Sequence, residues 1–448
     1  MAQEKGLAFE VQREWAEDLH ASRADMVAQC ASTANGFLEA ATDNTALQKL
    51  PYSFSIDLEK QGHMTNQKAS GRCWLFAALN VFRYEMIAKY NLEDFELSQN
   101  YLFFYDKLER SNYYLETMIT LADEPLTSRL LCFLNRDPMG DGGQWDMMAN
   151  IVRKYGVVPK AAYPDSANSV KSIGFNPYLA SLLREDAAAL RKAHRNGAPE
   201  ETLRAMKKEQ MQDVYRFLCI ALGEPPKTFD HVMRDKDGKV YQDFGIDGRT
   251  FYDKYIGLDL DRYISLINAP TDDKPMGRTY TIEHLGNVVE GEPIRYLNLP
   301  METIKAAVIA QLKDGHPVWF GSDCRWFRLR DQAVWDRASL NVEQLTDIRF
   351  RFTKGERLQY GDSAMNHAMV FLGVNLDEEG RSDRWRIENS WGKDIGPNDG
   401  YFIASDAWFD EFVYQAVVDR AYLDEETRKL AAQDMIPLKP WDPMGTLA

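Results

Sequence analysis

The chain has 448 residues, 45% of them hydrophobic and 12% aromatic, with a net charge of −15 and a pI near 5.1. That is enough apolar material for two or three domains with a large core, and it excludes a disordered chain. The acidic balance argues against non-specific binding to nucleic acid or to an anionic membrane.

The opening MAQEKGLAFEVQREW lacks the apolar core of a signal peptide, and no apolar run anywhere approaches ~18 residues, so no membrane span is expected. Residues 7–30 read as one helix, with Phe9, Val11, Trp15, Leu19, Met26 and Val27 as an apolar stripe among charges. Residues 1–50 are expected to form a helical arm that packs on the body or on a neighbouring copy. The five cysteines, Cys30, Cys73, Cys132, Cys219 and Cys324, are scattered and show no C-x-x-C spacing. They suggest neither a disulfide framework nor a metal site, and fit a reducing, cytoplasmic compartment with no cofactor.

Residues 51–65 read as extended and lead into Asn66-Gln67-Lys68-Ala69-Ser70-Gly71-Arg72-Cys73-Trp74-Leu75-Phe76. This polar, glycine-bearing loop enters a helix predicted over 73–90, where Leu75, Ala78, Leu79, Phe82 and Met86 share one face. Cys73 stands at the junction. First-turn N–H groups lack intrahelical partners and the peptide dipoles place positive charge there, which favours thiolate over thiol. The same N–H groups can stabilise an oxyanion, and the Gln67 amide is placed to add a donor. The alternative for Cys73 is a small buried hydrophobe.

Ser98 reads as the N-cap of the next helix. Asp141-Gly142-Gly143-Gln144-Trp145-Asp146 is a glycine-rich turn before another helix. It is either a tight turn or a stretch of bare backbone, at Gly142 and Gly143, along which an extended substrate can lie. Residues 166–294 read as a helical insertion. Asn176 is expected to cap a helix that runs to about His194, with Pro177 at its first position, and a charged helix is expected from Pro199 to Leu222. Asp235-Lys236-Asp237-Gly238-Lys239 reads as a hairpin turn. From 295 the pattern turns β-rich after one helix starting at Pro300. Runs at 317–320, 368–374, 385–389, 400–403 and 414–418 suggest an antiparallel sheet, partly closed into a barrel.

His367 opens the first long strand of that sheet, and a hairpin turn at 377–381 can return Asn389 beside it. Gln67, Cys73, His367 and Asn389, in that chain order, resemble the four active-site residues of papain-like cysteine peptidases. Ser390-Trp391-Gly392 resembles a further family segment. The insertion and the tail Trp441-Asp442-Pro443-Met444-Gly445-Thr446-Leu447-Ala448 narrow the resemblance to the bleomycin hydrolase and bacterial aminopeptidase C family.

The resemblance implies an α+β papain-like fold. A helical half at 51–165 would surround the nucleophile helix, and 295–425 would supply the β-barrel-like half. Residues 166–294 would be inserted, and 426–448 would be a C-terminal arm reaching into the cleft. It implies Cys73 as nucleophile, His367 as base, Asn389 orienting it, Gln67 at the oxyanion and Trp391 shielding the His–Asn bond. It further implies that the Ala448 carboxylate pairs with the free α-amine of a peptide substrate, which makes the enzyme an aminopeptidase, and that the chain assembles as a homohexamer. The alternatives are an endopeptidase, a hydrolase of bleomycin-like amides or thiolactones, and a structural or nucleic-acid-binding ring with a vestigial site.

Overall fold

The computed structural model describes residues 6–59 and 62–447. Its centre is the helix Cys73–Tyr90. Only Glu85, Ala88, Lys89 and Tyr90 escape full burial, so the helix is buried all round, Asn80 and Arg83 included, rather than along one stripe. It is buried because helices Gln99–Thr120 and Trp145–Tyr155 cover one side while strands of a large sheet cover the other. It ends at Asn91, which takes the left-handed conformation (φ 51°) and bonds back to Ile87. Ser98 caps the following helix as expected, its hydroxyl accepting from the Tyr101 N–H at 3.1 Å.

The strands in chain order are β1 (Ile56–Asp57), β2 (Phe229–Arg234), β3 (Val240–Ile246), β4 (Tyr263–Ile267), β5 (Arg278–Ile282), β6 (Tyr296–Asn298), β7 (Val318–Ser322), β8 (Arg328–Leu329), β9 (Val334–Trp335), β10 (His367–Leu376), β11 (Ser382–Glu388), β12 (Tyr401–Ser405), β13 (Val413–Asp419) and β14 (Ile436–Leu438). All but β2 and β3 join one sheet in the order β14-β5-β6-β4-β13-β7-β10-β11-β12-β9-β8, with β1 on β10. The pairing is mainly antiparallel, as expected. It departs at three parallel pairs: β4 with β6, β5 with β14, and β9 with β12. The sheet also begins earlier than the sequence pattern suggests, because β4 and β5 come from within 166–294. β4 pairs with β13 along its whole length. Every residue after Tyr263 is buried, polar Ser265 included, so the short run Ile264-Ser265-Leu266-Ile267 is covered on both faces and does not mark a half-exposed strand.

Helices Asn176–Arg195 and Glu200–Leu222 form the expected hairpin, and β2–β3 the expected two-stranded turn. Asn176 does not cap its helix. It is the first helical residue, and its amide instead donates to Asp141 at 2.6 Å. The N-terminal segment is two helices, Phe9–Ala21 and Arg23–Asn35, not one. The break falls at Ser22, whose extended backbone (ψ 110°) frees its hydroxyl to accept from the Asp25 N–H at 3.2 Å and start the second helix.

Two contacts fasten the central helix to the sheet. The Trp319 indole of β7 donates to the Trp74 carbonyl at 3.2 Å. Arg83 forms an ion pair with Glu388, the last residue of β11, with both side chains at most 2% exposed, and also donates to the His63 carbonyl at 2.7 Å. A buried pair adds little when intact but leaves an unpaired charge when one partner is removed. Arg83→Met is expected to destabilise the chain by about 3–5 kcal/mol in urea unfolding. Adding Glu388→Leu is expected to recover part of that loss, and a midpoint unmoved by Arg83→Met would remove the pair from the account of the fold.

Candidate active site

Cys73 is the first residue of its helix and is buried. Its sulfur lies against the N–H groups of Trp74 and of Ala368, the residue after His367, so the start of β10 meets the start of the helix. His367 is buried in β10 opposite Ser322 of β7. Its Nε2 donates to the Asn389 Oδ1 at 2.8 Å, which leaves Nδ1 as the nitrogen able to take a proton. Asn389 follows β11, so the β10–β11 pairing brings it beside His367, as the hairpin reading expected. Its Oδ1 also accepts from the Ser390 N–H at 2.7 Å, which fixes the carbonyl end of the amide toward the ring.

Trp391 stacks on His367, with centroids 4.9 Å apart and planes at 26°, and Arg328 covers it from 5.3 Å. The indole therefore covers the imidazole that bonds Asn389. The loop before Cys73 is stitched to this same segment. The Gln67 N–H donates to the Ser390 carbonyl at 2.8 Å, the Gly392 N–H donates to the Thr65 carbonyl at 3.0 Å, and Asn66 bridges to Trp391.

Gln67 is buried, and its side chain is set from both ends. Nε2 donates to the Ser70 carbonyl at 2.7 Å, and Oε1 accepts from the Ser390 hydroxyl at 2.6 Å. One Nε2 hydrogen is left over. Ser390 is thus an orienting residue for Gln67. The sequence reading quoted it only as part of a similar segment, because nothing local in the sequence pairs positions 67 and 390.

Gly142 and Gly143 are buried, and the role visible here is packing. A Cβ on Gly143 would meet the Trp74 ring at 2.8 Å, and the Gly142 carbonyl accepts from Arg110 at 2.6 Å. Ala448 lies outside the described residues. The tail before it does reach the site: the Thr446 hydroxyl donates to the Met365 carbonyl at 3.0 Å, two residues ahead of His367. Among the described residues no group of three or more His, Cys, Asp and Glu is placed to hold a metal ion.

Burial dominates the electrostatics. It pushes the Cys73 thiol up to about 11, against the backbone N–H groups that favour thiolate. It pulls the His367 imidazole down to about 4, against the bond to Asn389 that favours the cation. The helix N-terminus alone does not hold Cys73 as thiolate; either charge appears most readily when both form together by transfer of one proton from sulfur to ring. His367 folded neutral binds its proton more weakly than in the unfolded chain, so stability falls as the pH drops from about 6.5 toward about 4. Ring titration of His367 by NMR is expected to show a midpoint near 4. A midpoint at the ordinary 6.5 would show that the site is wet.

The Peptidase C1-like family model matches residues 6–445. Aminopeptidase C of Streptococcus thermophilus is 47% identical over 420 residues, 93% of this chain and 94% of that one. Human bleomycin hydrolase is 39% identical over 436 residues, 94% of each. The crystal structure of PepW from Lactobacillus rhamnosus HN001 superimposes with a TM-score of 0.97 at 43% identity, covering both chains fully. The α+β fold is papain-like, and the chain belongs to the Peptidase C1-like family of cysteine peptidases.

Proposed function

We propose that this cysteine aminopeptidase removes residues from the free N-terminus of peptides through Cys73, His367, Asn389 and Gln67, and that its C-terminal arm confines the cut to that end. The Cys73 sulfur attacks the substrate carbonyl carbon as its proton passes to His367 Nδ1. The imidazolium then gives that proton to the leaving amine, and the thioester is opened by a water that His367 deprotonates. Asn389 holds the ring without adding charge, so the imidazolium is oriented but not neutralised. The Cys73 N–H and the remaining Gln67 Nε2 hydrogen face the oxyanion; one such donor is worth about 10²–10³-fold in kcat. Trp391 keeps water from the His367–Asn389 bond, and the backbone at Gly142 and Gly143 lies beside the substrate.

The observation that carries the exopeptidase reading is the arm, whose Thr446 bonds beside His367. From there the Ala448 carboxylate pairs with the substrate α-amine. A second reading, hydrolysis of non-peptide amides of the bleomycin kind, draws on the human relative's name and uses the same chemistry. Nucleic acid is not a proposed partner, given the net charge of −15. No helix among the described residues is long and apolar enough to cross a membrane, and the compartment proposed is the cytoplasm.

Assembly as a homohexamer is supported by the arm helices, on which Phe9 (70%), Trp15 (54%) and Val27 (58%) stand exposed. Light scattering at micromolar concentration is expected to give the mass of six chains, and a monomer would end that proposal. Deleting residues 446–448 is expected to lower kcat/KM on aminoacyl-arylamides at least about tenfold, the worth of a charge-assisted hydrogen bond. The same deletion is expected to open activity on N-acetylated peptides. Full retention on the first with none gained on the second would refute the arm's role.

A further inference from the structure

The arm is held by a charge pair that no sequence pattern marks. Lys274, in the loop between β4 and β5, has a side chain only 2% exposed. Its ammonium donates to Asp442 and to Asp273, each at 2.8 Å. Asp273 is 62% exposed and faces water, whereas Asp442 is 9% exposed, so Asp442 is the partner inside the protein. The loop carrying Lys274 is itself fixed. Asn298 is buried and donates to the carbonyls of Lys274 at 2.7 Å and Ala269 at 3.1 Å.

Asp442 also shapes the arm. Its carboxylate accepts from the Met444 N–H at 2.9 Å and its carbonyl accepts from the Gly445 N–H at 3.0 Å, which makes the turn Pro443–Gly445. On one side of it, Trp441 lies under the Arg129 guanidinium at 4.0 Å and against the edge of Phe133. On the other, the Met444 carbonyl accepts from the Tyr296 hydroxyl at 3.2 Å, and Thr446 reaches Met365.

A buried lysine–aspartate pair is a poor source of stability, since an apolar pair of the same volume often does as well. What it supplies is register. A slip of one residue along an extended arm moves everything beyond it by about 3.5 Å, and a buried ammonium whose one partner from the arm is Asp442 favours a single setting. We infer that Lys274 and Asp442 are the register pin of the arm, fixing how far its last residues reach toward His367 and so how strictly cleavage is limited to free N-termini. They are positioning residues, and the inference rests on the proposed role of the arm.

The test compares Lys274→Met, Asp442→Asn, the double variant and deletion of residues 446–448 on an aminoacyl-arylamide and its N-acetylated counterpart. Each single variant is expected to raise the blocked-to-free ratio of kcat/KM about tenfold, the loss of one charged contact. KM for the free-amine substrate rises, kcat stays within about twofold, and iodoacetamide alkylates Cys73 at the unaltered chain's rate. The double variant is expected to lie closer to the unaltered chain than Lys274→Met, which strands the Asp442 carboxylate, whereas Asp442→Asn leaves Lys274 its bond to Asp273. Should the single variants fail to fold, Arg129→Gln, on an exposed residue that clamps Trp441, carries the test with a smaller shift in the same direction. If the deletion moves the ratio and the folded pin or clamp variants do not, the register pin is overturned and the arm's role stands. If the deletion leaves the ratio unmoved, both fall.

Discussion

The approach to Cys73 depends on one largely covered carboxylate, that of Asp141. Asp141 accepts from Lys107 at 2.8 Å, Asn176 at 2.6 Å, the Gly71 N–H at 3.1 Å and the Ser172 hydroxyl, while its backbone carbonyl takes the Trp74 indole at 2.8 Å. Burial alone would raise its pKa, but the Lys107 ammonium and these hydrogen bonds hold it well below the usual carboxylate range. The partners come from the loop before Cys73, the helix Gln99–Thr120 and the segment that starts the helix Asn176–Arg195. One anion thus sets the approach to Cys73, the glycine turn and the seat of the helical hairpin together. Gly71 is part of the same constraint, since a Cβ there would stand 2.7 Å from that of Asp141.

The sheet that carries His367 is joined to the helix Cys73–Tyr90 by contacts away from Cys73 itself. Trp319 reaches the first turn of the nucleophile helix, and Arg83 reaches Glu388, the residue before Asn389. The helix that starts at Cys73 and the strand that ends before Asn389 are therefore tied through one ion pair. The stitching of 65–67 to 390–392 adds a second tie at the cleft itself. The site is assembled from segments far apart in sequence, and its geometry is only as good as the packing of helix on sheet.

The sequence was most readable where a short motif states the chemistry. Cys73 at a helix start, His367 at a strand start and Asn389 across a hairpin follow from local pattern and turn logic, and the family resemblance joins them. It was least readable where meaning depends on a distant partner. Asn176 looks like a cap until Asp141 is placed beside it. Leu75 and Met86 look like a stripe until a sheet covers the other face. Ser390 gains its role only from Gln67, and β4 is hidden within the helical pattern of 166–294 because its partner, β13, comes about 150 residues later in the chain. The hairpin turn at 235–239 was legible because its own residues enforce it.

Burial has one further result for the resting enzyme. It pushes the Cys73 thiol up and pulls the His367 ring down, so it favours the neutral form of each. Peroxide and stray electrophiles react with thiolate and hardly with thiol. Burial thus works against a standing thiolate at Cys73, and passing its proton to His367 offsets part of that cost. Exposed Cys30 and Cys132, free of the cleft's protection, meet solutes first. How completely the packing around Cys73 and His367 excludes water therefore sets how readily the thiolate forms.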